Sequence, residues 1–240
     1  MKKIREIRSG NDTIIIKEVE TRGDLRRFIR FPDRLYKGNS SYCPNLMLDE
    51  EENLRRDKNP AFEYCEARYF MAYKNGEPAG RIAAILNKRF NEVWGQKCLR
   101  FSRYDVIDDI EVSRALLAEA ENWARELGMD NIQGPMGFCD LDHQGLLVDG
   151  FDERGLFITT YNHKYYADHL DALGYGKRVD WVEREVKVPD ELDPRIERIA
   201  EYSLRRDGLR VVEMKKTKEV VPYVAGIFDL LFDAYKHLYG

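Results

Sequence analysis

No apolar run in the 240 residues approaches the ~20 needed to span a bilayer. The opening Met1-Lys2-Lys3-Ile4-Arg5 has no apolar core of the signal-peptide kind. A membrane partner is therefore not expected, and a cytoplasmic location is. Cysteine is scarce: Cys43, Cys65, Cys98 and Cys139 are scattered, with no CxxC pair. That pattern reads as free thiols in a reducing compartment and gives no zinc framework. A basic excess is missing too. Lys and Arg number 39 against 43 Asp and Glu, a net charge of −4, which excludes a general nucleic-acid binder. No low-complexity segment appears. The length is enough to bury the core of one large domain, or of one domain and part of another.

The strongest signal present is a helix. Val112, Leu116, Ala120, Trp123 and Leu127 recur at helical spacing, while Glu111, Arg114, Glu121, Asn122 and Arg125 take the other face. Asp108 is the expected N-cap, with Glu111 three residues on as a variant capping box. Gly128 is placed for a left-handed stop. Residues 97–107 before this helix and 131–133 after it read as strands. A strand-helix-strand unit with short connections crosses over into a parallel pair.

Around this unit, residues 13–19 form a β-branched run read as a strand. Residues 22–36 read as a helix interrupted near Pro32. Residues 38–61 are loop-rich, with a short solvated helix expected in 49–58. Asn75-Gly76 between apolar runs is a hairpin signal joining 69–73 to 81–86. Residues 161–173 read as a helix stopped by Gly174, and 181–188 alternate as a strand ended by Pro189. The fold class expected is α/β (α+β): a mixed, mostly antiparallel sheet with a central parallel pair and helices on both faces.

Three features carry candidate chemistry. The loop Gly134 to Gly145 holds Asp140, Asp142 and His143 within four residues. His143 can accept a proton from an amine, with Asp142 or Asp140 orienting it. The same spacing permits a carboxylate-rich metal site or plain aspartate turn chemistry, and all three readings stay open. The turn at 58–63 offers Phe62, with Arg55 and Arg56, to an acceptor, or else a solvated surface. His163, His169 and His237 read as surface or packing residues.

Ser113-Arg114-Ala115-Leu116-Leu117, Trp123 to Gly128 and Ile132 resemble the core helix and following strand of the GNAT-like acyl-CoA N-acyltransferase superfamily. Residues 166–175, ending Leu173-Gly174-Tyr175, are similar to that superfamily's last helix. The resemblance covers residues 13–188. It implies transfer of an acyl group from a thioester or other carrier to an amine. The alternative is a non-catalytic GNAT-like module that binds a ligand or a partner chain.

The resemblance also implies site residues. Tyr104, Val106, Ile107, Val112 and Ser113 would hold the acyl donor; the family's proton-donor position falls on Leu170, and Tyr166, one turn earlier on the same face, could substitute as proton donor to the departing thiolate. Phe62, Phe138 and Asp140 would face a small-molecule amine. Acyl-CoA is the implied cofactor, and no metal. In the family, glycine and a basic or amide residue precede the core helix and open its backbone N–H groups to a pyrophosphate. Here Asp108, Glu111 and Ser113 stand at those positions, so a carrier other than coenzyme A stays open.

Two domains are expected: 1–188, GNAT-like, and 189–240. The latter reads as helix (193–206), strand (209–214) and long helix (218–239). Its strand-helix pair resembles the first one, as the start of a second, incomplete copy. The competing reading is an extension that packs on the first sheet or swaps into a dimer through the last helix.

Overall fold

A computed structural model describes residues 1–191 and 193–236. His237 and the close of the expected last helix lie outside the described residues. The chain divides into two compact units, 1–179 and 180–239.

The first unit is built on six strands: β1 (Lys2–Ser9), β2 (Asp12–Glu18), β3 (Cys65–Lys74), β4 (Glu77–Asn87), β5 (Cys98–Val106) and β6 (Asn131–Gln133). They lie side by side in sequence order. Every neighbouring pair is antiparallel except β5 with β6, which is parallel. This is the expected fold class, although the parallel pair lies at the β6 edge of the sheet and not at its middle. β1 was not anticipated. Its sequence, KKIREIRS, alternates charge with isoleucine, the composition of an edge strand protected by lysine and arginine.

Both faces of the sheet are covered. On one, α5 (Ile110–Glu126) packs Val112, Leu116 and Ala120 against Ile14, Ile16, Phe70, Ile82 and Phe101. On the other, Leu25, Phe28 and Ile29 of α1 (Arg22–Ile29) and Phe31 of α2 (Phe31–Leu35) meet Ala67, Tyr69, Met71, Ala83 and Ile85. Residues from one strand thus alternate between two cores: Ile82 and Ala84 face α5, Ala83 and Ile85 face α1. Gly80 permits the α5 contact, because a Cβ there would stand 2.7 Å from Leu116 Cδ1 and 3.0 Å from the Asp105 carbonyl oxygen.

Local signals explain most boundaries. Thr21 and Asp24 form a full capping box at α1. At α5 the N-cap is Asp109, one residue beyond the expected Asp108. Its carboxylate accepts from the Glu111 N–H at 2.9 Å, and Glu111 does not reach back. Asn75 and Gly76 both take positive φ, as the hairpin requires. The short helix α3 spans Met47–Asn53, and α4 spans Lys88–Trp94. α6 covers Tyr165–Ala172, starting four residues later than expected.

In the second unit, α7 spans Pro194–Arg206 and α8 spans Val224–Tyr235. Residues 181–188 and 209–214, expected as strands, have no strand structure, and no sheet includes either segment among the described residues. The expected long helix from 218 is shortened at its start, where Pro222 sits in a run of 3-10 turns. The apolar positions Val224, Ile227, Phe228 and Leu231 of α8 are exposed.

Candidate functional site

β5 is interrupted where its chemistry begins. Between Arg81↔Asp105 and Ala83↔Ser102, β4 advances by two residues and β5 by three, which makes a β-bulge on β5. Arg103 takes the extra position with φ +46°. A left-handed conformation at a residue with a Cβ costs about 1–2 kcal/mol, and such strain concentrates at working sites.

The bulge sits where the parallel pair ends. β5 and β6 pair from Cys98↔Asn131 to Arg100↔Gln133. The chain then turns away through Gly134-Pro135, holding on by one bond from Met136 N–H to the Phe101 carbonyl. Beyond Phe101 the outer edge of β5 has no strand partner among the described residues.

Two buried charge clusters fill the bulge. The Arg103 guanidinium donates to both oxygens of Glu50 (3.0 and 3.2 Å) and both of Asp142 (2.7 and 2.7 Å). Burial alone would raise the Asp142 carboxyl. The Arg103 charge and the N–H groups of Phe138 and His143 outweigh it and hold the group at about 2. Gly137 makes room for this carboxylate, since a Cβ there would fall 1.9 Å from Asp142 Oδ2. In the second cluster, Arg81 donates to Asp105 Oδ2 at 2.7 Å and to the carbonyls of Phe28 and Ile29. Tyr36 donates to Asp105 Oδ1 at 2.8 Å and meets the Tyr166 hydroxyl at 2.7 Å. Burial, then the Asp105 charge, pushes the Tyr36 and Tyr166 hydroxyls well above the usual phenol range.

A cavity of about 70 Å³ opens on these clusters, lined by Tyr36, Tyr42, Arg81, Asp105, His143 and Tyr161 among others. Tyr104 also contributes to its wall. Of the residues picked from sequence, the structure brings His143 and Tyr104 to this cavity. Tyr166 is fully buried and reaches the wall through Tyr36. Asp142 is spent on Arg103, and Asp140 is bonded by Gln144 Nε2 at 3.3 Å. Phe138 is buried in the α1-side core with its ring 5.0 Å from that of Phe62 and tilted by 58°, so these two pack against each other outside the cavity. Among the described residues, no group of three or more His, Cys, Asp or Glu is placed to hold a metal ion.

The residues expected to hold the acyl donor are engaged by their own chain. Val106 donates its N–H to the Tyr166 hydroxyl at 2.9 Å, and its carbonyl accepts from the Tyr165 hydroxyl at 2.7 Å. Ile107 N–H bonds the Ala79 carbonyl, and Val112 is fully buried. The Ser113 hydroxyl lies 2.8 Å from Tyr104 OH and 2.9 Å from His169 Nδ1, with Asp108 Oδ1 3.3 Å from His169 Nε2. Asp109, already the N-cap, pairs with Lys74 at 2.6 Å. The α5 N-terminus therefore carries Asp108, Asp109 and Glu111, and its donors are capped by a carboxylate. These residues do not fit a coenzyme A pyrophosphate, which needs open N–H groups and no competing acid.

Sequence reading missed Arg81, Arg103 and Asp105. Their signal is charge inside strands that are otherwise apolar or small: such a group is buried only when paired, and the pairing marks a built site. Tyr36, Tyr42 and Tyr161 carried no comparable signal, because tyrosines at such spacing are ordinary core residues.

No family model matches the chain. Protein YghO of Escherichia coli (strain K12) is 27% identical over 230 residues, covering 94% of this chain and 57% of that protein. The bacterial ceramide synthase of Caulobacter vibrioides (strain NA1000 / CB15N) is 28% identical over 173 residues, covering 72% of this chain and 45% of that protein. The chain spans about half the length of the curated relatives it matches. Among solved structures, an aminoglycoside acetyltransferase from an uncultured soil metagenomic sample, in complex with sisomicin, aligns at a TM-score of 0.43 and 12% identity over 73% of this chain and 97% of that one. The ribosomal-protein-alanine N-acetyltransferase of Brucella melitensis biovar Abortus 2308 aligns at 0.39 and 12% over 73% and 99%. The topology, with five antiparallel strands, a crossover helix and a parallel sixth strand, is the mixed α/β arrangement expected from the sequence.

Proposed function

We propose that the chain performs N-acyl transfer, joining an acyl group carried as a thioester to the amine of a long-chain amino alcohol. The observation that carries this reading is the polar cavity at the β5 bulge, where a carboxylate and a histidine face the same small space. The similarity to a ceramide synthase supports the acceptor class, since a ceramide is the amide of a long-chain amino alcohol. So does the cavity's surroundings. Leu46 and Leu141, with Leu156, Phe157 and Ile158, are exposed and lie one to three residues from wall residues Asn45, His143 and Thr159. Their apolar surface suits an alkyl chain leaving a polar pocket.

In this scheme His143 accepts the proton that frees the amine nitrogen for attack. The nitrogen adds to the thioester carbonyl carbon, the C–N bond forms and the C–S bond breaks. One of the nitrogen's two N–H protons passes to the departing thiolate by way of the Tyr36 hydroxyl, which is linked to Tyr166 and Asp105, and the other stays on the amide. The test is amide formation measured by mass spectrometry. Loss of one general base lowers such rates by roughly 10²–10⁴. His143→Ala should therefore lower amide formation by that factor while circular dichroism stays unchanged. An unchanged rate would remove His143 from the mechanism.

A further inference from the structure

Three tyrosine rings make one side of the cavity. Tyr36 lies 4.7 Å from Tyr42 and 5.3 Å, edge-on, from Tyr161, and Tyr42 lies 6.3 Å from Tyr161. All three hydroxyls are tied back into the protein. Tyr36 donates to Asp105, Tyr42 donates to Asp33 Oδ1 at 3.0 Å, and Tyr161 accepts from Asn39 Nδ2 at 2.6 Å. The rings are thereby fixed in orientation. Two of them also give their hydroxyl proton to a carboxylate, which enriches the electron density of the ring.

The charges behind the wall have one sign in excess. Arg81 is bonded to Asp105 and to two backbone carbonyls, and Arg103 to Glu50 and Asp142. With Asp33, these two guanidinium groups face four carboxylates. Of these four carboxylates, Asp105 lines the cavity itself, alongside Arg81 and Arg103.

We propose that this wall is an ammonium subsite: the protonated head of a primary alkylamine lies against Tyr36, Tyr42 and Tyr161, with Asp105 as its counter-charge. A cation within about 6 Å of such rings is held by their quadrupole, and more strongly where water is excluded. The subsite deepens the N-acyl-transfer reading, on which its role in turnover rests. It discriminates a charged amine from an alcohol of similar length before any chemistry occurs.

The test is a calorimetric titration of the full chain, with no acyl donor, using n-butylammonium chloride, 1-pentanol and sodium butyrate. Butylammonium should bind at least about tenfold more tightly than pentanol, and butyrate should not bind. Tyr161→Leu should weaken butylammonium about tenfold and leave pentanol unchanged, while Tyr161→Phe, which keeps the ring, should retain most of the preference. Equal binding of amine and alcohol, preference for butyrate, absence of butylammonium binding, or full affinity in a folded Tyr161→Leu would each overturn the subsite. If Tyr161→Leu fails to fold, Tyr42→Leu decides the same question. A chain that binds butylammonium selectively but forms no amide keeps the subsite and loses the transfer reading. One that forms amide but binds amine and alcohol alike loses the subsite alone.

Discussion

Replacing Asp142 by asparagine keeps the shape of the side chain and removes its charge from the bulge. In the folded chain the carboxyl sits at about 2, against 3.8 for an unperturbed aspartate. At 1.36 kcal/mol per pH unit that depression corresponds to roughly 2 kcal/mol of folding stability. Because the folded-state value is the lower one, the unfolded chain binds the proton first as pH falls. The contribution is therefore complete above about pH 4 and drains away between pH 4 and 2. Arg103 keeps Glu50 in the variant, so its guanidinium is not orphaned, and the loss stays below the ~3–5 kcal/mol of a fully broken buried pair. Urea denaturation of both proteins in steps from pH 6 to pH 3 reads the effect. At pH 6, Asp142→Asn should be less stable by about 2 kcal/mol, and the gap should narrow as the pH falls through 4. Glu50, also held below its usual range, is present in both chains and largely cancels. A gap that is constant with pH, or smaller than ~0.5 kcal/mol at pH 6, would refute the assignment of Asp142 as the ionised anchor of the loop.

Gly137→Ala should disturb the same anchor from the other side. Its Cβ would fall 1.9 Å from Asp142 Oδ2, so faster amide hydrogen exchange is expected across residues 136–145, and unaltered protection would contradict the packing. Free coenzyme A should show no micromolar binding by calorimetry, because carboxylates cap the α5 N-terminus. Glu111→Gly combined with Asp108→Arg should raise its affinity if charge and backbone access are the obstacle, and no gain would mean that the pocket itself is missing. Tyr166→Phe removes the hydroxyl that accepts from Val106 N–H. It should slow amide formation with little change in the apparent affinity for the amine, and a normal rate would take the Tyr36–Tyr166 pair out of the proton path.

The parts of the fold readable from sequence were those whose cause is local. The α5 stripe, the Gly128 stop and the Asn75-Gly76 turn each follow from a few neighbouring residues, and the structure has all three. The cap of α5 slipped by one residue because Asp108 and Asp109 are chemically equal there, and only the fold decides which one faces the Glu111 N–H. β1 escaped notice because its alternation is charge against isoleucine, and its pairing depends on the turn at Gly10. Residues 181–188 alternate as a strand does, but among the described residues no strand lies beside them to complete a sheet. The site was half legible. The loop with His143 was visible as a cluster in the chain, whereas Arg103 and Asp105 matter through a bulge that exists only as a register difference between two strands.

Acyl transfer to a long-chain amine is tested most directly by one measurement. The chain is incubated with a long-chain amino alcohol and, in parallel, with a fatty acyl-CoA and with the same acyl group on a carrier protein; the products are read by mass spectrometry. An amide should form with at least one donor, at a rate that falls by roughly 10²–10⁴ in His143→Ala. No amide from either donor with a folded chain would contradict it.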